Sequence, residues 1–172
     1  MSVHSANSYP SIGVRLVQES DWPDLKLLRL ASLQDAPRAF GMSYASAAAM
    51  TEAQWRERAA GTRAKFFIAR DSAHAVGLIG LTPVIDGDCE LIAMWVQPSR
   101  RGSGVAALLV DAVKQAAVLA GARMIHLAVS PENSPAAQFY EKQGFVFLPE
   151  FETLDSDPNV SLQKIAWHAL LV

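Results

Sequence analysis

The chain has a single cysteine, Cys89, among its 172 residues. No disulfide can form within it, and that composition fits a reducing compartment. The four histidines are scattered and, with one thiol, offer no metal-ligand spacing, so no metal is expected. A formal net charge of −2 gives no electrostatic case for a nucleic-acid partner. No apolar run approaches the length that spans a membrane. The opening MSVHSANSYPS has neither the basic nor the apolar region of a secretory signal. Repeats, low-complexity tracts and linkers are lacking, as is the G-x-S-x-G elbow of a serine nucleophile. A soluble, cytoplasmic protein with no membrane partner is the expectation.

What is there is ordinary globular material, 51% apolar and 19% charged. The length suits one domain with a sizeable core. Residues 1–11 are small and polar and read as a frayed tail, leaving 12–172 as the single domain. Gly13 to Gln18 alternates as a first strand. Ser20 or Asp21 then caps a helix with Pro23 in its first turn, running to about Leu33. Residues 38–44 have no period and read as a loop, with Phe40 plugging the core. Thr51-Glu52-Ala53-Gln54 is a capping box that opens a helix closed by Gly61. Strands are expected at 65–70 and 75–84, the second with a bulge or close packing at Gly77 and Gly80. Asp86-Gly87 sits in a hairpin turn.

The rest of the chain is organised around Glu90 to Ala106, ELIAMWVQPSRRGSGVA. Leu91 to Val96 is an apolar run too short for a helix and reads as a buried strand, which Pro98 stops. From Val105 the apolar positions take helical spacing, through Leu109 and Val113 to about Ala120. Between them lies a small, basic, glycine-rich turn. Strand, glycine turn and helix in succession put free backbone N–H groups at a helix N-terminus, an arrangement that binds phosphate. Gly102 and Gly104 allow positive φ there, and Arg101 can add a charged contact. A tight turn with glycines for closeness and arginines for solubility has the same spelling.

Later elements follow the same alternation. Arg123 to Val129 is a strand, Ser134 caps a short helix with Pro135 in its first turn, and Gly144 ends it. Residues 145–148 form a strand, an acidic loop spans Pro149 to Pro158, and a last strand covers 161–169. Glu150, Glu152, Asp155 and Asp157 give that loop a negative field suited to a cationic ligand, or simply a solvated surface. The whole reads as an α/β or α+β domain with a mixed sheet.

Two motifs resemble one family. Arg101-Gly102-Ser103-Gly104-Val105-Ala106 fits R/Q-x-x-G-x-G/A, preceded by V-x-P as Val96-Gln97-Pro98. Asn133 to Phe145 fits N-x-x-A-x-x-x-Y-x-x-x-G-F. Both are marks of the GNAT superfamily of N-acetyltransferases, in the right order and about 30 residues apart, as one strand–helix–strand unit requires. The resemblance covers about Val14 to Leu170. It implies a mixed, mostly antiparallel sheet of about seven strands with about four helices. It also implies acetyl-coenzyme A as cosubstrate, its pyrophosphate cradled by the 101–106 turn and its thioester and pantetheine amides paired with the backbone of Met94, Trp95 and Val96. The acceptor would be a small-molecule amine, with a protein or peptide amine or a non-catalytic acyl-coenzyme A module as alternatives. A homodimer is open.

Single residues then acquire candidate roles. If the central strand is regular, Glu90, Ile92, Met94 and Val96 share one face. A carboxylate on an otherwise apolar face can have a raised pKa, which suits a base toward an ammonium. Some members of the family resemble this, and a solvated strand end would look the same. The resemblance makes Tyr140 the general acid toward the leaving thiolate, against a packed core tyrosine. Asn133 either bonds the pantetheine arm or positions its helix. Phe40 and Tyr44 are candidates for lining the acceptor pocket, and His126 reads as a packed strand histidine.

Overall fold

A computed structural model describes residues 11–155 and 157–170. Apart from Ser11, the expected tail at 1–11 lies outside the described residues. The seven strands are β1 (Gly13–Leu16), β2 (Lys65–Arg70), β3 (Ala75–Leu81), β4 (Asp88–Val96), β5 (Met124–Val129), β6 (Val146–Leu154) and β7 (Asp157–His168). They form one sheet in the order β1-β2-β3-β4-β5-β7-β6. Every neighbouring pair is antiparallel except β4 and β5, which run parallel.

Five α-helices cover the two faces: α1 (Trp22–Asp35), α2 (Tyr44–Ala48), α3 (Glu52–Ala59), α4 (Val105–Leu119) and α5 (Ser134–Lys142). The count is one more than expected. The extra helix, α2, has no apolar period to announce it, because Ala45, Ala47 and Ala48 carry little side chain. Ser43 caps it by accepting from Ser46 N–H at 3.1 Å. The capping box at Thr51 is present, with Gln54 Oε1 accepting from Thr51 N–H at 2.8 Å. At α1 the cap differs from expectation. Asp21 holds the N-cap position but its carboxylate does not cap. It pairs instead with Arg15 at 2.7 Å and accepts from Gln18 N–H at 2.8 Å.

Side chains alternate across the sheet and fill two cores. On one face Leu109, Val110 and Val113 of α4 pack with Ile125, Leu127, Phe145 and Ile165. On the other, Leu25, Leu28 and Leu33 of α1 and Trp55 of α3 pack with Phe66, Ile68, Leu78 and Trp95. Each such burial is worth about 1.5–3 kcal/mol, so neither face of the sheet can be left open. Gly80 is where the second core comes closest to the backbone: a Cβ there would meet Ile92 Cγ1 at 2.8 Å and Phe66 Cε1 at 2.9 Å. Cys89 is buried on the α4 face, its thiol 3.6 Å from the Met124 carbonyl, and burial pushes it up to about 11.

The segment expected as an acidic loop at 149–158 is for the most part a hairpin of β6 and β7. Its register slips between Phe147 and Phe151, where Pro149 cannot donate to a ladder. Three of the four acids therefore sit on strands and Asp155 lies in the turn between them: Glu150 pairs with Lys164 at 3.0 Å and Asp157 with Arg38 at 3.8 Å. Among the described residues no helix is long and apolar enough to cross a membrane.

Candidate active site

The parallel pair at the centre of the sheet is short. Asp88, Cys89 and Glu90 register with Met124, Ile125 and His126, and there the pairing stops. Both strands continue, β4 to Val96 and β5 to Val129, so beyond Glu90 they part and leave an opening in the sheet. The cause lies in β4. Ala93 has φ +57°, a left-handed value rare for a residue with a Cβ, and the register against β3 jumps from Ile92↔Gly80 to Trp95↔Leu78. One extra residue is accommodated as a bulge, which bends a strand and twists it further.

The bulge also corrects the expected facing. Glu90 and Ile92 do share a face, the one under α1 and α3, but Met94 and Val96 point to the α4 side. A strict period of two fails because Ala93 takes up a residue without advancing the alternation. Ala93 and Met94 have no partner in the β3 register, and Trp95 and Val96 do.

The glycine turn lies at the end of this opening. Gly102 and Gly104 have φ +78° and +87°, and a Cβ at either would meet no protein atom within 4 Å. These glycines are therefore demanded by the backbone conformation, and they face open space. Gly104 is the N-cap of α4, and the N–H groups of Gly102, Ser103, Gly104, Val105 and Ala106 make no hydrogen bond among the described residues. Orphan donors at a helix N-terminus that faces open space fit a phosphate group.

The arginines of the turn are both engaged by protein acceptors. Arg101 donates from Nη2 to Asp35 Oδ2 at 2.6 Å and from Nε to the Val96 carbonyl at 3.0 Å. Asp35 also accepts from Trp95 Nε1 at 3.0 Å, and that bond, with Arg101, holds its carboxyl below the usual range. Arg100 is tied in the same way to Asp71, which accepts from Ala73 and His74 N–H at 3.0 and 2.8 Å. Through these bonds Arg101 clamps the turn to the end of α1 and the end of β4. Ser103 turns its hydroxyl back onto the Arg100 carbonyl.

Following β5, Asn133 caps α5: its Oδ1 accepts from Ala136 N–H at 3.4 Å, so Asn133, not Ser134, is the cap. Tyr140 lies on the α4 face of the sheet, 5% exposed, edge-to-face with Phe139 at 5.1 Å and Phe145 at 5.5 Å. Burial keeps its phenol protonated well above the ordinary range. Its hydroxyl has no hydrogen-bond partner among the described residues.

Glu90 is on the other face. It lines a cavity of about 210 Å³ with His126, Glu150, Phe151, Glu152 and Lys164. The face expected to be apolar is thus polar on the β5 side of Glu90. His126, read from sequence as packing, stands directly opposite Glu90 and lines the same cavity. Only the pairing of β4 with β5 reveals this, and no local signal encodes it. A second cavity, about 300 Å³, lies farther along the same face, against α3 and β2, and includes Ile92 and Arg58. Phe40 is buried in the core beside it and Tyr44 is exposed at the start of α2; neither lines the two cavities.

Relatives share these features to different depths. The chain is 33% identical over 96 residues to an uncharacterised N-acetyltransferase of Mycobacterium tuberculosis and to one of Mycobacterium bovis. That alignment takes in 56% of this chain and 62% of either relative, so the chain spans less than two thirds of their length. The fold matches a GNAT-family acetyltransferase from Streptococcus pneumoniae with a TM-score of 0.76 at 15% identity, over 92% of this chain and 100% of that one. It matches a ribosomal L7/L12 alpha-N-protein acetyltransferase solved with coenzyme A, with a TM-score of 0.74 at 14% identity, over 92% and 94%. The sequence model of the Acetyltransferase (GNAT) family matches residues 29–145, which span the parted strands, the glycine turn and Tyr140. The chain belongs to the GNAT acetyltransferase family.

Proposed function

We propose that the protein transfers an acetyl group from acetyl-coenzyme A to the amine of a small molecule by direct attack. The observation that carries this reading is the opening beyond Glu90 and His126, with five unpaired N–H groups of the glycine turn at its end. Gly102 to Ala106 would hold the pyrophosphate, and acetyl-coenzyme A supplies an activated acyl group as its thioester. The backbone at Met94, free of the β3 register, is the candidate donor to the thioester oxygen. Trp95 and Val96 act on the pantetheine side of the same strand.

Glu90 takes a proton from the acceptor ammonium, directly or through a water, as the new N–C bond forms. Tyr140 gives its proton to the sulfur as the C–S bond breaks. The two lie on opposite faces of the sheet, so the amine enters from the α1 and α3 side and the thiol leaves from the α4 side. Asn133 positions α5, and through it Tyr140.

Thiol release from acetyl-coenzyme A, measured across a panel of small amines and short peptides with free N-termini, tests the proposal. Turnover of small amines is expected. Turnover of peptides alone would make the protein a peptide or protein N-acetyltransferase. Coenzyme A binding with no transfer to any amine would make it a non-catalytic acyl-coenzyme A module.

A further inference from the structure

On the α1 and α3 face, three arginines stand together with no ion pair among the described residues. Arg29 lies on the inward stripe of α1, its guanidinium 4.8 Å from the Phe40 ring centroid. Its Nη1 is fully buried and has no hydrogen-bond partner. Arg58 of α3 and Arg63 line the cavity of about 300 Å³, and neither is hydrogen-bonded or ion-paired among the described residues. Glu57 is the one carboxylate on that wall. Burial first and the charge of Arg58 second push Arg29 down to about 10, while burial and Arg63 act on Arg58 in the same direction against a smaller opposing pull from Glu57. A buried guanidinium beside a second cation, with no anion to satisfy it, is costly in the free protein. A bound anion would relieve that cost.

The position of this cavity gives the anion a context. Its wall includes Ile92, and Glu90, two residues earlier, shares that face of β4 and lines the neighbouring cavity with His126, Glu150 and Glu152. Two residues of strand span about 6–7 Å. Along this face of β4, Glu90 and Glu152 stand at the first cavity, where Glu150 is paired with Lys164, and the wall that carries Arg58 and Arg63 begins at Ile92, two residues on. An amine drawn to the first end and an anion drawn to the second belong to one zwitterion.

We infer that the acceptor is an amine that also carries a carboxylate, with Arg58 and Arg63 on the cavity wall, and Arg29 behind them, holding the carboxylate while the amine lies at Glu90. The inference rests on the proposed acetyl transfer and names the substrate class of that site. A carboxylate gained by a half-buried guanidinium is worth about 10–100-fold in affinity.

The test compares leucine and phenylalanine with their amides and with the amines left when the carboxylate is removed. The expected result is a kcat/KM about 10–100-fold higher for the amino acids, expressed mainly in KM. That ratio should fall toward one in Arg58→Gln and partly survive in Arg58→Lys. Equal rates for acid and amide, or a preference untouched by Arg58→Gln, overturn the inference and leave acetyl transfer standing. If no amine is turned over, the proposed function fails. The anion site is then decided by calorimetry on the protein loaded with coenzyme A, titrated with the N-acetyl derivatives of the same acids and decarboxylated amines. Heat from the acids alone, lost in Arg58→Gln, supports the site. Equal heats, or none, reject it. Arg58 is half-exposed, so its variant tests the idea even if Arg29→Gln does not fold.

Discussion

Glu90 and His126 face one another across the last rung that joins β4 to β5. The rung is both a hinge point of the sheet and a chemical position: it closes the parallel pair on one side and lines the opening on the other. A base placed there is held by two strands at once, and its partner across the rung is the one histidine of the cavity.

Glu90→Gln should lower kcat/KM by about 10²–10³-fold at neutral pH, with partial recovery at high pH, where the acceptor loses its proton unaided. The rate–pH profile checks this. A profile superimposable on that of the parent removes Glu90 from the reaction.

Gly104→Ala imposes a Cβ on a backbone at φ +87° and should cost about 1–2 kcal/mol of stability. Gly121→Ala, at φ +85° and equally open at the far end of α4, should cost a similar amount. Only the first should weaken coenzyme A binding in calorimetry. Equal affinities in the two variants would separate the turn from the pyrophosphate.

Tyr140→Phe should lower kcat by about 10²–10³-fold with coenzyme A affinity and thermal stability almost unchanged, since the hydroxyl has no partner to lose among the described residues. Because burial raises the phenol's pKa, activity should show no loss from its deprotonation below about pH 10. A folded variant with the parent's kcat makes Tyr140 a packing residue.

Asp35 and Asp71 are both held below the ordinary carboxylate range, Asp35 chiefly by Trp95 and Arg101, Asp71 chiefly by the backbone N–H groups of Ala73 and His74. A depressed folded pKa contributes stability that is present above the unfolded value, about 3.9, and is lost as pH falls through the folded value. Denaturant unfolding between pH 7 and pH 2 should show this loss. Asp35→Asn should be less stable than the parent at pH 7, with the gap closing toward pH 2. A constant gap would mean that the aspartate's charge contributes nothing.

Ala93→Gly should fall within about 1 kcal/mol of the parent, because relief of the left-handed strain offsets the buried methyl. Ala93→Val should cost more than about 1 kcal/mol and reduce acetyl transfer, since a branched side chain favours straightening the bulge. Thermal unfolding of the two variants reads the first effect, and kcat the second.

The glycine turn, the capping box at Thr51 and the strand at 65–70 are written in local chemistry, and each lies where its residues place it. The bulge at Ala93 is not, because alanine carries no mark of positive φ, and with it went the facing of Met94 and Val96. Asn133 and Ser134 are both good caps, and only the backbone chooses between them. The acids at 150–157 look like a loop in sequence because Pro149 and Asp157-Pro158 punctuate them, yet pairing with β7 overrides that local preference. The arginines of the turn can be read in sequence as charge for solubility or for an anion. Arg100 and Arg101 are instead tied to Asp71 and Asp35, while Arg58 and Arg63 form no ion pair among the described residues, and that difference exists only in three dimensions.

The burial of Cys89 has a practical consequence for enzymology on this chain. With its thiol raised to about 11, roughly one molecule in a thousand carries the thiolate at pH 8, and the sulfur is shielded by the sheet and α4. A disulfide reagent added to follow coenzyme A will therefore meet one reactive sulfur species, the product. Every acceptor can be followed continuously, without alkylating the protein first.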